Sequence, residues 1–370
     1  MNKHGWTYKK LGEVCEKGSS DIVISKVSDN NGEYPLFGAA GYIKGLDFYH
    51  NDAQYIGIVK DGAGVGRVDI YPAKSSLVGT MQYIFPNDSC DIRFLKYVLI
   101  NLSLEKFITG ATIPHIYFKH YSKCLIPVPP MAEQEAIVAE LDEINEAIAA
   151  LQQQVADLDT LAQSTFYDMF GDPVTNPKAW PVKKLGELST VKTGPFGSML
   201  HKEDYIVNGI PLVNPVHMMN FKIVPDMSFT IPEHKAQELS NYLLRSNDVV
   251  FARRGDIGRC AVVSNEQDGF LCGTGSLFVR FNENVDSIFT MYVIRSESFT
   301  NSLLSAAKGA TMLNINSTVV ENLNFILPPL SLQREFAAKV EAIESAKAEL
   351  NAQIAEMQTL LASRMDYYFD

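Results

Sequence analysis

From Pro129 to Phe170 the chain reads PPMAEQEAIVAELDEINEAIAALQQQVADLDTLAQSTFYDMF, and from Pro328 to Phe369 it reads PPLSLQREFAAKVEAIESAKAELNAQIAEMQTLLASRMDYYF. In the first stretch apolar residues fall at Ile137, Leu141, Ile144, Ile148, Leu151, Val155, Leu158 and Ala162, in alternating steps of four and three. That is a heptad seam, which an α-helix presents as one apolar stripe. In the second stretch Phe336, Val340, Ile343, Lys347, Leu350, Ile354, Met357 and Leu361 repeat the seam with one polar intruder, Lys347. A proline pair opens each helix, where a missing N–H costs nothing, and Gly171 before Asp172-Pro173 stops the first. About 35 residues at 1.5 Å each predict a rod of roughly 50 Å. Each rod must bury its stripe, and its copy in the same chain is the nearest partner, so an antiparallel coiled coil is expected. Packing of each rod on its own globular segment is the alternative. Lys347 has two readings: a register-setting residue paired with an acid of the first helix such as Asp157, or a side chain snorkelling out of an imperfect seam.

The repeat extends beyond the rods. Gly110-Ala111-Thr112 recurs as Gly309-Ala310-Thr311, Gln134 as Gln333 and Phe170 as Phe369, each pair 199 positions apart. Upstream the spacing shrinks through Tyr97-Val98 with Tyr292-Val293, Gly79-Thr80 with Gly273-Thr274 and Gly66-Arg67 with Gly258-Arg259. It ends with Lys9-Lys10-Leu11-Gly12-Glu13 and Lys183-Lys184-Leu185-Gly186-Glu187, which follow Trp6 and Trp180. Drifting spacing means insertions in loops; constant spacing means a part rigid in length. The globular segments alternate β-prone runs, such as Tyr55-Ile56-Gly57-Ile58-Val59 and Asp248-Val249-Val250-Phe251, with Gly, Asn and Asp turns. Helical stretches are expected at Arg93 to Phe107 and Phe289 to Ala307, making each segment an α+β module. The predicted order is a module over 1–128, a long helix over 129–171, a second module over 172–327 and a second long helix over 328–370. The modules would stand in a pseudo-twofold arrangement.

Composition limits the function classes. The 370 residues carry a net charge of −11, the reverse of a non-specific nucleic-acid binder. The five cysteines are odd in number and form no CxxC pair, and no signal peptide precedes them, so free thiols in a reducing cytoplasm are expected. No apolar run approaches the roughly 18 residues of a membrane span. The acidity is unevenly placed. Residues 129–171 hold nine acids and no base, whereas 1–128 hold 14 bases and 12 acids, and 172–327 hold 14 and 15.

The residue patterns of common catalytic sites are missing. Gly62-Ala63-Gly64-Val65-Gly66 lacks GxGxxG spacing and leads into a strand-like run, so it predicts a tight turn and not a phosphate loop. No Gly-Lys dipeptide occurs, which excludes a Walker A motif, and neither Pro-Pro pair follows the Asn or Asp of an adenine methyltransferase motif. His115, His120 and Cys124 match no usual zinc spacing. What remains is a binding module. Arg253, Arg254 and Arg259 lie in a predicted turn, with Lys60 and Arg67 in the corresponding turn of the first half. Arginine beside glycine suits close contact with phosphate or guanine, although a solvated basic turn looks the same in sequence. After each Gly-Ala-Thr, Ile116 matches Ile315, while His115 faces Asn314 and Tyr117 faces Asn316 in the alignment. Two readers of different sequences would need a common scaffold with different polar groups; ordinary loop divergence gives the same pattern. With the neighbouring Lys119, His120 and Lys308, these residues make up the candidate DNA-binding set.

The duplicated order resembles that of the DNA-specificity subunits of type I restriction-modification systems. The resemblance rests on Gly110-Ala111-Thr112 followed by Ile126-Pro127-Val128-Pro129-Pro130-Met131-Ala132-Glu133-Gln134. It rests equally on Gly309-Ala310-Thr311 followed by Leu327-Pro328-Pro329-Leu330-Ser331-Leu332-Gln333. It implies a non-catalytic cytoplasmic protein in which each module recognises half of a bipartite double-stranded DNA target and the coiled coil sets the spacer between halves. It also implies two methyltransferase subunits docked on the chain and carrying S-adenosylmethionine, and a restriction subunit using ATP and magnesium. No cofactor or metal is expected in this chain. A coiled-coil scaffold joining two modules that do not bind DNA is the competing reading.

Overall fold

A computed structural model describes residues 5–110, 112–196, 199–282, 284–306 and 315–369. Both heptad stretches are single α-helices of 40 residues, Met131–Phe170 and Leu330–Phe369. By contacts the chain divides into Met1–Gln153 with Asn351–Asp370, and Gln154–Leu350. Each long helix thus lends one part to each unit.

The first unit holds a four-stranded antiparallel sheet in the order Cys15–Ser19, Met81–Pro86, Tyr55–Val59, Val68–Tyr71. A three-stranded sheet orders Gly41–Leu46, Tyr34–Gly38 and Ser76–Leu77, the last two parallel. Tyr55–Val59 is buried at every position, as a central strand of apolar and β-branched residues should be. Thr7–Lys10 pairs with Leu125–Val128, closing the module just before its proline pair. The second unit repeats this topology. Ser189–Thr193, Ser276–Phe281, Val249–Ala252 and Cys260–Val262 form the four-stranded sheet. Thr230–Ile231, Ile210–Val213 and Leu271–Cys272 form the three-stranded one, and Val182–Lys184 pairs with Asn324–Ile326.

The expected helical stretches are interrupted. The first is an α-helix over Ile92–Asn101 and a 3-10 turn over Leu104–Phe107, because Ser103 between them takes a left-handed φ of 50°. The second splits into Ser287–Arg295 and Glu297–Ala306 at Ser296, whose extended backbone ends one helix. Its hydroxyl accepts the Phe299 N–H at the start of the next.

Three repeated contacts fasten each module to a long helix. In the first unit Phe94, Leu95 and Val98 share a core with Ile137, Val138 and Leu141 of the first long helix and with Met365 and Phe369 of the second. In the second unit Phe289 and Val293 share one with Phe166, Phe170, Phe336 and Val340. Trp6 donates its indole N–H to Glu133 at 2.6 Å, and Trp180 donates to the Phe170 carbonyl at 2.9 Å. Gln134 is fully buried: its amide donates to the Ser89 and Pro129 carbonyls and its oxygen accepts the Asp91 N–H. Gln333, equally buried, donates to the Pro328 carbonyl and accepts the Asp286 N–H. Asp91 and Asp286 are themselves N-caps of Ile92–Asn101 and Ser287–Arg295.

All fifteen seam positions from Ile137 to Leu158 and from Phe336 to Leu361 are buried or half-buried. In the second unit Asp159 meets Lys347 while Phe166 and Phe170 meet Phe336, so the two helices run antiparallel. Lys347 is held in the seam, its side chain 14% exposed, by Asp159 at 2.6 Å and Glu344 at 2.8 Å. The first-helix acid bonded to it at 2.6 Å is Asp159. In the first unit Glu140 takes a bidentate hold on Arg364 and accepts the Tyr368 hydroxyl. Arg364 holds the Glu140 carboxyl below the usual carboxylate range against an opposing effect of burial, with help from Tyr368.

All five cysteines are free thiols, four of them buried. Among the described residues no helix is long and apolar enough to cross a membrane, and no three His, Cys, Asp or Glu side chains gather as a metal site would need.

Candidate nucleic-acid interface

In the first unit the chain leaves Tyr55–Val59 at Lys60 and reverses over Asp61 to Arg67 into Val68–Tyr71. Gly62, Gly64 and Gly66 take φ of 83°, 81° and 92°, so the alternating glycines form a tight turn. The loop after Gly110 is stitched to this turn by main-chain bonds. Ile116 donates to the Lys60 carbonyl at 2.9 Å, and Gly62 donates to the Pro114 carbonyl at 3.0 Å. Two segments far apart in sequence thereby share one surface.

On that surface His115 Nδ1 lies 2.5 Å from Asp61 Oδ1, and Lys60 Nζ lies 3.7 Å from Asp61 Oδ2. The Tyr117 ring is 47% exposed, with its centroid 6.0 Å from that of His115 and 5.7 Å from that of His120. Lys119 Nζ stands 5.3 Å above the same ring. Lys60 and His115 thus meet on the Asp61 carboxylate, while His115, Lys119 and His120 gather on the Tyr117 ring. Arg67 is exposed and lies over Gly64 of the same turn. Its guanidinium donates to the Ala39 carbonyl at 2.6 Å and pins the bend between Tyr34–Gly38 and Gly41–Leu46.

The second unit builds the same frame. The chain leaves Val249–Ala252 at Arg253, whose N–H donates to the Gly275 carbonyl, and Ile315 donates to the Arg253 carbonyl at 3.0 Å. The Ile116 and Ile315 matched in sequence thus make equivalent bridges. Arg259, the repeat counterpart of Arg67, donates to the Pro215 carbonyl at 3.1 Å and pairs with Asp256 at 2.9 Å. Pro215 follows Ile210–Val213 as Ala39 follows Tyr34–Gly38. The two arginines expected on DNA therefore tie down equivalent loops.

What the frame carries differs between units. Arg253 is not on a solvated turn: it is 7% exposed, and burial, with the charge of Arg254 beside it, pushes its guanidinium below the usual value. Arg254 is exposed. Asn316 caps the helix Ser317–Glu321 by accepting the Val319 N–H at 2.9 Å, so its oxygen is committed to the fold. Tyr117 occupies the same cap position before Phe118–Tyr121 and makes no side-chain cap bond. Lys308 and Asn314 lie outside the described residues. Sequence reasoning missed Asp61, which sits inside the Lys60 to Arg67 run. It noted Gln134 and Gln333 as repeated residues without seeing that each locks a helix to its module.

Comparison with known proteins places this arrangement. The family model described as "Type I restriction modification DNA specificity domain" matches residues 3–158 and again 177–357. The type I restriction enzyme MjaVIII specificity subunit of Methanocaldococcus jannaschii is 24% identical over 305 residues, covering 77% of this chain and 71% of the relative. The MjaIX specificity subunit of the same organism is 22% identical over 303 residues, covering 76% and 69%. Among solved structures, the type I restriction-modification S subunit from M. genitalium superposes with a TM-score of 0.61 at 14% identity. That match covers 100% of this chain and 97% of the other. A chain from a structural study of assembly and conformational transition of the type I R-M system gives 0.59 at 18% identity, covering 98% and 97%. Those two likenesses speak for the fold. With both halves matched by its model, this chain belongs to the family of type I restriction-modification DNA specificity subunits.

Proposed function

We propose that this chain is the non-catalytic sequence reader of a type I restriction-modification complex, each α+β module recognising one half of a bipartite duplex DNA target. The observation that carries the reading is the duplicated loop frame: in each unit a main-chain bridge, Ile116 to Lys60 or Ile315 to Arg253, joins a strand-end turn to the segment that leads into a short helix, Phe118–Tyr121 or Ser317–Glu321. On this common frame the side chains differ, as two half-sites of different sequence require. Lys60, His115, Tyr117, Lys119 and His120 face the first half-site and Arg254 faces the second, while Asn316 caps its helix and Lys308 and Asn314 lie outside the described residues. Arg67, Arg253 and Arg259 act through the shape of the loops.

The two long helices set the spacer between half-sites and dock two methyltransferase subunits. Those subunits would bring S-adenosylmethionine and methylate adenine N6, and a restriction subunit would bring ATP and magnesium chemistry. The acidic first helix stays clear of phosphates and faces protein. The near-neutral modules gain affinity when partners help enclose the duplex, because a module with few net positive charges releases few counterions on its own.

Deleting one heptad from the middle of both long helices, in register, tests the ruler. Selection of bound duplexes from a randomised pool, with the modification subunits present, is expected to return both half-sites at an altered spacing, or no site at all. Native spacing in a folded variant refutes the ruler. Failure of the wild-type complex to select any bipartite site favours the scaffold reading.

A further inference from the structure

Asp61 and His115 form a half-exposed pair in the first module's polar cluster. A carboxylate only accepts hydrogen bonds, so the His115 nitrogen 2.5 Å from Asp61 Oδ1, Nδ1, must carry a proton. The pair is held by more than its own bond. The main chains of Asp61 and His115 bridge one another, and His115 exchanges both main-chain bonds with Thr109, at 2.8 and 2.9 Å. The ring is therefore fixed in position and in tautomer. Its other nitrogen, Nε2, has no hydrogen-bond partner among the described residues, and the side chain is 39% exposed. In the neutral imidazole such a nitrogen is an acceptor. The Tyr117 ring lies beside it, centroid to centroid 6.0 Å.

From this geometry we infer that His115 is a specificity-determining residue that accepts a hydrogen bond from an exocyclic amino group in the major groove, with Asp61 as the positioning residue that keeps Nε2 an acceptor. The inference rests on the reading of the first module as a DNA reader. Adenine N6 and cytosine N4 are the amino donors exposed in the major groove, whereas guanine and thymine present acceptors at the corresponding positions. One base pair of the first half-site is thus restricted to an amino-bearing base on the strand facing His115. Replacing Asp61 by asparagine reverses the logic. An asparagine amide can donate to Nδ1, which places the ring proton on Nε2 and turns the acceptor into a donor suited to guanine O6 or N7, or thymine O4.

The test is selection from a duplex pool randomised across both half-sites, using the full chain with its modification subunits. It is run on the basic side of neutrality, at about pH 8.5. Wild type should show one position in the first half-site with adenine or cytosine favoured about tenfold, the size of one good hydrogen bond. His115→Ala should flatten that position alone. Asp61→Asn should move its preference to guanine or thymine, and in the His115→Ala background Asp61→Asn should change nothing further. A merely structural role for Asp61 predicts the opposite, an effect that persists without His115. The second half-site, read by the other module, reports in every variant that the complex is folded. If wild type selects a bipartite site and both variants keep the same base at every position, the inference is overturned while the proposed function stands. If wild type selects no bipartite site, both fall together.

Discussion

Replacement of Gln134 by alanine offers the sharpest test of how a module is fixed to its helix. The side chain is fully buried and makes three bonds: two from its amide, to Ser89 and Pro129 carbonyls at 3.0 and 2.9 Å, and one accepted from the Asp91 N–H at 2.8 Å. Each bond contributes about 1 kcal/mol net, and each partner left unpaired in a buried place costs about 1–3 kcal/mol. The bond to the Pro129 carbonyl is buried and the other two are part-buried, so Gln134→Ala should cost about 3–5 kcal/mol. Gln333 makes two such bonds among the described residues, and Gln333→Ala should cost less, by roughly one bond or about 1 kcal/mol. Gln134→Glu separates hydrogen bonding from size. It keeps the acceptor for Asp91 but turns a carboxylate toward two carbonyl oxygens, which raises its pKa in the folded state. Protonated, it regains one donor, so its penalty should be smallest at acid pH and grow as pH rises through the folded-state pKa. Urea denaturation followed by circular dichroism, at several pH values, reads all three variants. A loss below about 1 kcal/mol for Gln134→Ala, or a Gln134→Glu penalty that shrinks as pH rises, would refute the clamp.

Further outcomes follow from the ion pairs. Lys347→Leu removes a charge from the seam, leaving Asp159 half in water and Glu344 still paired with Lys222 at 2.9 Å; stability should rise by about 1 kcal/mol. Register should loosen, seen as a broadened distance distribution between spin labels at the exposed positions Ser164 and Glu341; an unchanged sharp distance removes the register role from Lys347. The Glu140 carboxyl is held below its ordinary 4.5 by Arg364, so its contribution is present above that value and lost as pH falls through the folded-state pKa. Glu140→Gln should therefore flatten the acid limb of a Tm–pH profile, and an unaltered limb rejects that assignment. Arg254→Ala should leave Tm unchanged and reduce the log–log salt slope of DNA binding by about 0.9. Arg253→Ala should instead lower Tm, since its side chain is buried; equal effects of the two on salt slope would contradict their different placement.

The parts of the fold carried by periodicity were legible because heptad spacing and a fixed repeat length leave few alternatives. The long helices, their antiparallel pairing and the duplicated modules all rest on those signals. Interruptions at Ser103 and Ser296 were not legible, since a single residue leaving helical φ and ψ hardly alters a hydrophobic pattern. At the candidate interface, sequence singled out two segments that the fold sets side by side, Lys60 to Arg67 and His115 to His120, but not the roles of their side chains. Arg67 and Arg259 carry the composition of a DNA contact, and each also donates to a loop carbonyl, Ala39 or Pro215, a partner that only tertiary structure supplies. Asn316 looks like a polar reader beside Tyr117, yet its oxygen closes a helix N-terminus. Charge and residue type indicate what a side chain can bind; they do not say whether the fold has already claimed it.

That distinction bears on how one architecture can serve two targets. The elements shared by both modules are those whose loss would move a backbone: the bridges from Ile116 and Ile315, the loop ties of Arg67 and Arg259, and the buried glutamines on their capped helices. Among the elements that differ, the exposed Tyr117 projects from this frame without supporting it. Tyr117 makes no cap bond where Asn316 makes one, and the helix Phe118–Tyr121 forms nonetheless, with Tyr121 fully buried to anchor it. An exposed group that supports nothing can be exchanged at small cost to stability, because surface substitutions away from caps, cores and buried pairs stay within about 0.5 kcal/mol. Changing the base read at one position therefore need not disturb the helices that set the spacing. Changing Arg67, Arg259 or Gln134 would disturb the frame itself and alter every position in a half-site at once.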